Sequence, residues 1–135
     1  MENGVPYKGE IVWFKCDTNG KPIGSRKDIP EHMFLILTNT DYNSKADHFC
    51  GLPITSKKQF KSQEFLAKYG LDITNDDIEG NLYFEKESFF LCDRPVRLDE
   101  QDLSKVQKHT GKIKSEKLEL TITKVSRFLR SGKIN

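Results

Sequence analysis

The chain has 135 residues, 36% hydrophobic and 31% charged, and 22 basic residues against 20 acidic leave a net charge of +2. That balance excludes a disordered chain, and by charge alone it demands no nucleic-acid partner. The length fits one domain over residues 1–135, whose core needs no metal or disulfide for support.

Gly9–Cys16 is β-branched and aromatic and reads as a first strand, with Trp13 expected in the core. A long turn-rich loop follows from Asp17 to Pro30, basic at Arg26 and Lys27. His32–Thr38 is apolar on both faces and reads as a central strand, and Asn39–Asp47 as a polar turn. His48–Thr55 is a third strand, in which Pro53 suggests an edge or a bulge. Ser62 caps a short helix that ends at Tyr69, before Gly70.

Leu71–Glu79 is acidic and ambiguous, while Asn81–Glu85 and Ser88–Cys92 read as two further strands. Leu91–Asp99 then delivers an acid and two arginines to one corner, before a helix expected from Glu100 to Lys108 with Asp99 as its cap. Gly111 ends that helix. Ser115 caps the last one, whose apolar stripe is Leu118, Ile122, Val125, Phe128 and Leu129. Five strands with late helices make an α+β fold, or a small β-barrel with attached helices.

Cys16, Cys50 and Cys92 form no C-x-x-C pair, the segment after Met1 is polar, and no run reaches the length of a membrane span. A reduced, cytoplasmic protein without membrane association is expected. His48 and Cys50 alternate on one strand, but two ligands do not make a metal site, so neither metal nor other cofactor is expected. A Cys92–His32 nucleophile pair is a weaker candidate, since nothing in the sequence orients it.

Four segments in register resemble the MazF/PemK (Kid) toxin family: Gly9-Glu10-Ile11-Val12-Trp13, Pro53-Ile54-Thr55-Ser56-Lys57, Cys92-Asp93-Arg94-Pro95 through Leu98-Asp99, and Thr110-Gly111-Lys112-Ile113. Residues 58–87 match the family pattern poorly. The resemblance implies a PemK-like fold, a small SH3-like barrel with attached helices that include a C-terminal one. It also implies a homodimer, an antitoxin partner, and a toxin acting as a metal-independent, sequence-selective endoribonuclease on single-stranded RNA. The alternatives are a non-cutting RNA- or protein-binding domain, or a toxin aimed at a protein such as gyrase.

By that resemblance Thr55 falls on the family's active-site threonine, and its other reading is a strand-end hydroxyl bonded to its own backbone. Asp93 falls on the family's acidic residue, as a base or its orienter, or as the ion-pair partner of Arg94 or Arg97. His32 stands where most members carry an arginine and is the third catalytic candidate, because imidazole does acid–base work near neutral pH. Arg26, Lys27, Ser56, Lys57, Arg94 and Arg97 are the candidates for holding RNA.

Overall fold

The computed structural model describes residues 1–2, 4–22, 31–109 and 111–135. Its strands are β1 (Glu10–Phe14), β2 (His32–Ile36), β3 (His48–Ser56), β4 (Gly70–Ile73), β5 (Ile78–Gly80), β6 (Ser88–Leu91), β7 (Val96–Asp99) and β8 (Gly111–Ile113). The helices are α1 (Thr40–Lys45), α2 (Gln63–Tyr69) and α3 (Ser115–Ser131). All strand pairs are antiparallel. The order along the sheet is β4-β6-β3-β2-β1-β8-β5, with β7 also paired to β3, and the sheet curls into a half-barrel.

Side chains on successive strand residues point to opposite faces, and both faces are covered. Val12, Phe14, Phe34, Ile36, Phe49 and Leu98 pack into one cluster. Ile11, Leu35, Leu52, Ile54, Phe90 and Ile113 pack into the other, where Val125 of α3 joins them. The two-sided apolar reading of β2 is therefore right, and the strand is central.

β3 is also central, so of the edge or bulge suggested by Pro53 the edge is not there. Along one side β3 pairs first with β7, as far as Gly51, and then with β6, from Ile54. Pro53 falls in the gap between these ladders, where its missing N–H costs nothing. Gly51 is needed where β7 crosses, because a Cβ there would lie 2.3 Å from Leu98 Cδ1.

Three elements differ from expectation. Glu100–Lys108 is not a helix beyond one 3-10 turn at Glu100–Asp102. Its backbone runs along β1 instead: Lys15 N–H donates to Asp102 O at 2.6 Å and Ser104 N–H to Trp13 O at 3.0 Å. The Gln107 amide also bonds both the N–H and the C=O of Trp13. A strand edge with unpaired groups has outcompeted local helix propensity.

Second, Asn81–Glu85 is not a strand, and Leu71–Glu79 contributes parts of β4 and β5. Third, Asn39–Asp47 holds α1, capped by the Asn39 side chain accepting from Asp41 N–H at 2.8 Å. Asp99 is the N-cap residue of the 3-10 turn, but its side chain makes no capping bond and accepts from Arg97 Nε instead. Lys114, not Ser115, is the N-cap of α3, and Leu129 is 68% exposed rather than part of the apolar stripe. Trp13 is half-buried, with Lys108 Nζ 5.2 Å from its ring centroid. No helix of the described residues is long and apolar enough to cross a membrane.

Candidate active site

β3 ends at Thr55 and Ser56, β2 begins at His32, and the turn after β6 carries Asp93 and Arg94. Because β2 and β3 are antiparallel neighbours, the start of one lies beside the end of the other. The result is a cavity of about 560 Å³ bordered by Thr18, His32, Thr55, Phe60, Lys61 and Arg94, with Gln59 and Ser62 completing its polar wall. Three cationic or potentially cationic groups and three hydroxyls face one space, and among the described residues none that borders it is acidic. An anion with several oxygens suits such a lining.

His32 Nδ1 lies 2.8 Å from the carbonyl oxygen of Cys16. A carbonyl only accepts, so Nδ1 carries the proton, and in the neutral ring Nε2 is the lone-pair nitrogen. That tautomer suits a proton acceptor. The Thr55 hydroxyl donates to Ser56 O at 3.3 Å, a long bond that a phosphate oxygen could replace.

Asp93 sits in the tight turn between β6 and β7, closed by Arg94 N–H donating to Leu91 O at 3.3 Å. Its two carboxylate oxygens accept from Arg94 Nε and Nη2, both at 3.2 Å, and the carboxylate is only 11% exposed. It does not border the cavity; it braces the guanidinium that does. The Arg94 guanidinium carbon also lies 5.3 Å from the centroid of the Phe60 ring. Held on two sides, this cation has few rotamers left to lose when an anion arrives.

The remaining candidates separate. Ser56 borders a neighbouring concavity, and its hydroxyl accepts from Gln59 N–H at 3.3 Å. Lys57 Nζ points to Glu87, 3.6 Å away, on the surface. Arg26 and Lys27 lie outside the described residues.

Arg97 lies apart from this cavity. It stands opposite Cys50 on β3, five residues and about 16 Å along the strand from Thr55. Its guanidinium is 66% exposed and pairs with Asp99, beside Asp47 and Glu100. Arg97→Ala is accordingly expected to leave RNA affinity and cleavage unchanged. A loss of affinity in an RNA-binding titration would show that this acidic corner belongs to the substrate path.

A thiol nucleophile is also removed. Cys92 is buried, and desolvation, aided by the neighbouring Asp93 charge, pushes its thiol up to about 12. His48 does not face a metal set either: its Nε2 meets the Tyr42 hydroxyl at 2.7 Å and its Nδ1 meets Asp47 at 3.1 Å. No group of three His, Cys, Asp or Glu side chains among the described residues could hold a metal ion.

Reading by sequence missed Thr18, Gln59, Phe60 and Lys61. The signal for the last three was the run Lys57-Lys58-Gln59-Phe60-Lys61, basic with an aromatic inside it, directly after Thr55. Thr18 had no such signal. It is brought in by the turn at Gly20, whose φ of +78° suits glycine and where a Cβ would lie 2.5 Å from the Arg97 carbonyl.

A family model described as the PemK-like, MazF-like toxin of type II toxin-antitoxin systems matches residues 7–129. Among solved structures, the chain is similar to MazE–MazF from Deinococcus radiodurans, at 18% identity and a TM-score of 0.63, over 93% of this chain and 97% of that one. It is also similar to an endoribonuclease from a Mycobacterial species, at 13% identity and a TM-score of 0.60, over 93% of this chain and 92% of that one. A third similar structure is an endoribonuclease in complex with its cognate antitoxin, also Mycobacterial, at 14% identity and a TM-score of 0.57, over 94% and 92%. At these identities the likeness establishes the fold. No curated protein matches the chain.

Proposed function

The chain belongs to the PemK-like, MazF-like toxin family of type II toxin–antitoxin systems, and from the cavity at Thr55 we propose that it cuts single-stranded RNA without a metal ion. The observation that carries this reading is the convergence of His32, Thr55 and Arg94, from three separate segments, on one space.

Cleavage uses the RNA's own 2′-hydroxyl. Its proton passes to His32 Nε2, which the bond from Nδ1–H to Cys16 O leaves as the basic nitrogen. The O2′–P bond forms, the P–O5′ bond breaks, and the upstream fragment ends in a 2′,3′-cyclic phosphate. The leaving O5′ must take a proton, and the Lys61 ammonium is an N–H acid on the cavity wall. Charge growing on the non-bridging oxygens meets the Arg94 guanidinium and the Thr55 hydroxyl. Asp93 acts through Arg94 by fixing its plane.

The same reading includes a homodimer in the cytoplasm and an antitoxin partner, since one of the similar structures is a complex with its cognate antitoxin. Purified protein incubated with a long single-stranded RNA in excess EDTA tests the activity. Fragments whose upstream ends carry a cyclic phosphate are expected. RNA that stays full-length, while a related active toxin cuts it under the same conditions, would sink the nuclease reading. Bound but uncut RNA would favour the non-cutting alternative.

A further inference from the structure

Thr55 stands on a ridge between two concavities. Ile54, Thr55 and Gln59 border both. The second, of about 470 Å³, is walled by Asn81, Tyr83, Phe84, Glu85, Lys86 and His109. Most of that wall comes from the end of segment 58–87, where the sequence follows the family pattern least.

The wall is built to present the Tyr83 ring, while Phe84 packs against the core. Leu82 is buried against Gly111, where an added Cβ would come within 2.6 Å of Leu82 Cβ. The Asn75 side chain grips the backbone of Phe84 twice, donating to its C=O at 3.0 Å and accepting from its N–H at 2.8 Å. The Ser88 hydroxyl donates to Lys86 O at 2.9 Å. Between these anchors Tyr83 is 67% exposed, and among the described residues no aromatic ring packs against it. A pinned loop that holds a large ring in water is a preorganised stacking platform.

We infer that this second concavity is a nucleobase subsite, taking the base next to the scissile link of a single-stranded RNA. The inference rests on the nuclease reading of the first cavity and extends it to substrate selection. Tyr83 supplies the stacking face. Asn81, Gln59 and Ser56 offer donors and acceptors to a base edge. Glu85 discriminates between ligands: a carboxylate only accepts, so it disfavours a bare phosphate here and favours a base edge that carries N–H groups. Lys86 and His109 stand on the same wall for the neighbouring phosphate.

The test is fluorescence anisotropy with a labelled single-stranded RNA whose 2′-hydroxyls are O-methylated, so that it binds without being cut. Tyr83→Ala is expected to raise Kd about tenfold, the order lost with one base–aromatic stack, while Tyr83→Phe retains wild-type affinity. The exposure of Tyr83 keeps both variants folded, which circular dichroism checks. Sequencing the ends of cleaved unmodified RNA is expected to show weaker base preference at one position beside the cut. Wild-type affinity in Tyr83→Ala, with a wild-type protein that binds and cuts, overturns the subsite, spares the nuclease reading, and leaves the concavity to a polypeptide. Weakened binding in Tyr83→Ala by a protein that never cuts supports the subsite and overturns the nuclease. A wild-type protein that neither binds nor cuts RNA overturns both.

Discussion

Replacing His32 is expected to slow RNA cleavage by about 10²- to 10⁴-fold at saturating substrate, the usual contribution of a positioned proton-transfer group. Two variants separate chemistry from scaffolding. His32→Ala removes both ring nitrogens and with them the bond to the Cys16 carbonyl. His32→Asn retains a side-chain N–H that can satisfy that carbonyl but offers no basic nitrogen. Both are expected to show this loss, with the asparagine variant closer to wild type in stability. Single-turnover rates with protein in excess of both the RNA and Kd provide the measurement, since binding and product release then drop out. If His32→Asn cuts at the wild-type rate, the imidazole is structural. The 2′-hydroxyl proton would then need another acceptor, because the Arg94 guanidinium and the Lys61 ammonium on the cavity wall can only donate.

The second large effect concerns the core. Phe34→Ala is expected to cost about 3–5 kcal/mol of folding stability, the range for deleting a buried phenyl ring. Phe34 is fully buried. Its ring meets Phe14 edge to face, with centroids 5.8 Å apart, and Phe14 in turn meets Phe49 at 6.3 Å. It also lies opposite Pro53, next to the stretch of β3 that leads to Thr55. A loss of that size is a large share of the roughly 5–15 kcal/mol that holds a domain of this kind together. Urea denaturation should show a midpoint far below wild type with little change in slope. Val106→Ala is the comparison, because Val106 is 72% exposed and its loss should hardly move the midpoint. Equal shifts in the two variants would mean that the cluster around Phe14 and Phe34 does not carry the barrel.

The strands of the core were legible because their pattern is local. Val12 and Phe14 alternate with Ile11, and Phe34 and Ile36 with Leu35, and each set reaches its own cluster. Thr55 and Arg94, singled out at motif positions, border one cavity, an arrangement that the motifs do not show by themselves. The Glu100–Lys108 segment was misread for a physical reason: its residues suit a helix, but β1 presents unpaired backbone groups that only the folded chain brings alongside. The place of Arg97 was not legible, because a motif in sequence gives no side of the sheet. Once β7 pairs with the first half of β3, Arg97 is carried away from the end where Thr55 lies.

The amino-acid order by itself determined the fold class and the family, because period-two alternation and short motifs are written in neighbouring positions. Tertiary structure alone decided which residues share a space. Thr18, His32, Thr55, Phe60 and Arg94 come from segments up to 76 positions apart (94 − 18 = 76), gathered by antiparallel pairing and one glycine turn. It also decided that Asp93 steadies a guanidinium rather than bordering the cavity, and that Tyr83 is held out in water. Both depend on bonds between groups, two hydrogen bonds in one case and the Asn75 clamp in the other, whose partners only the completed fold supplies.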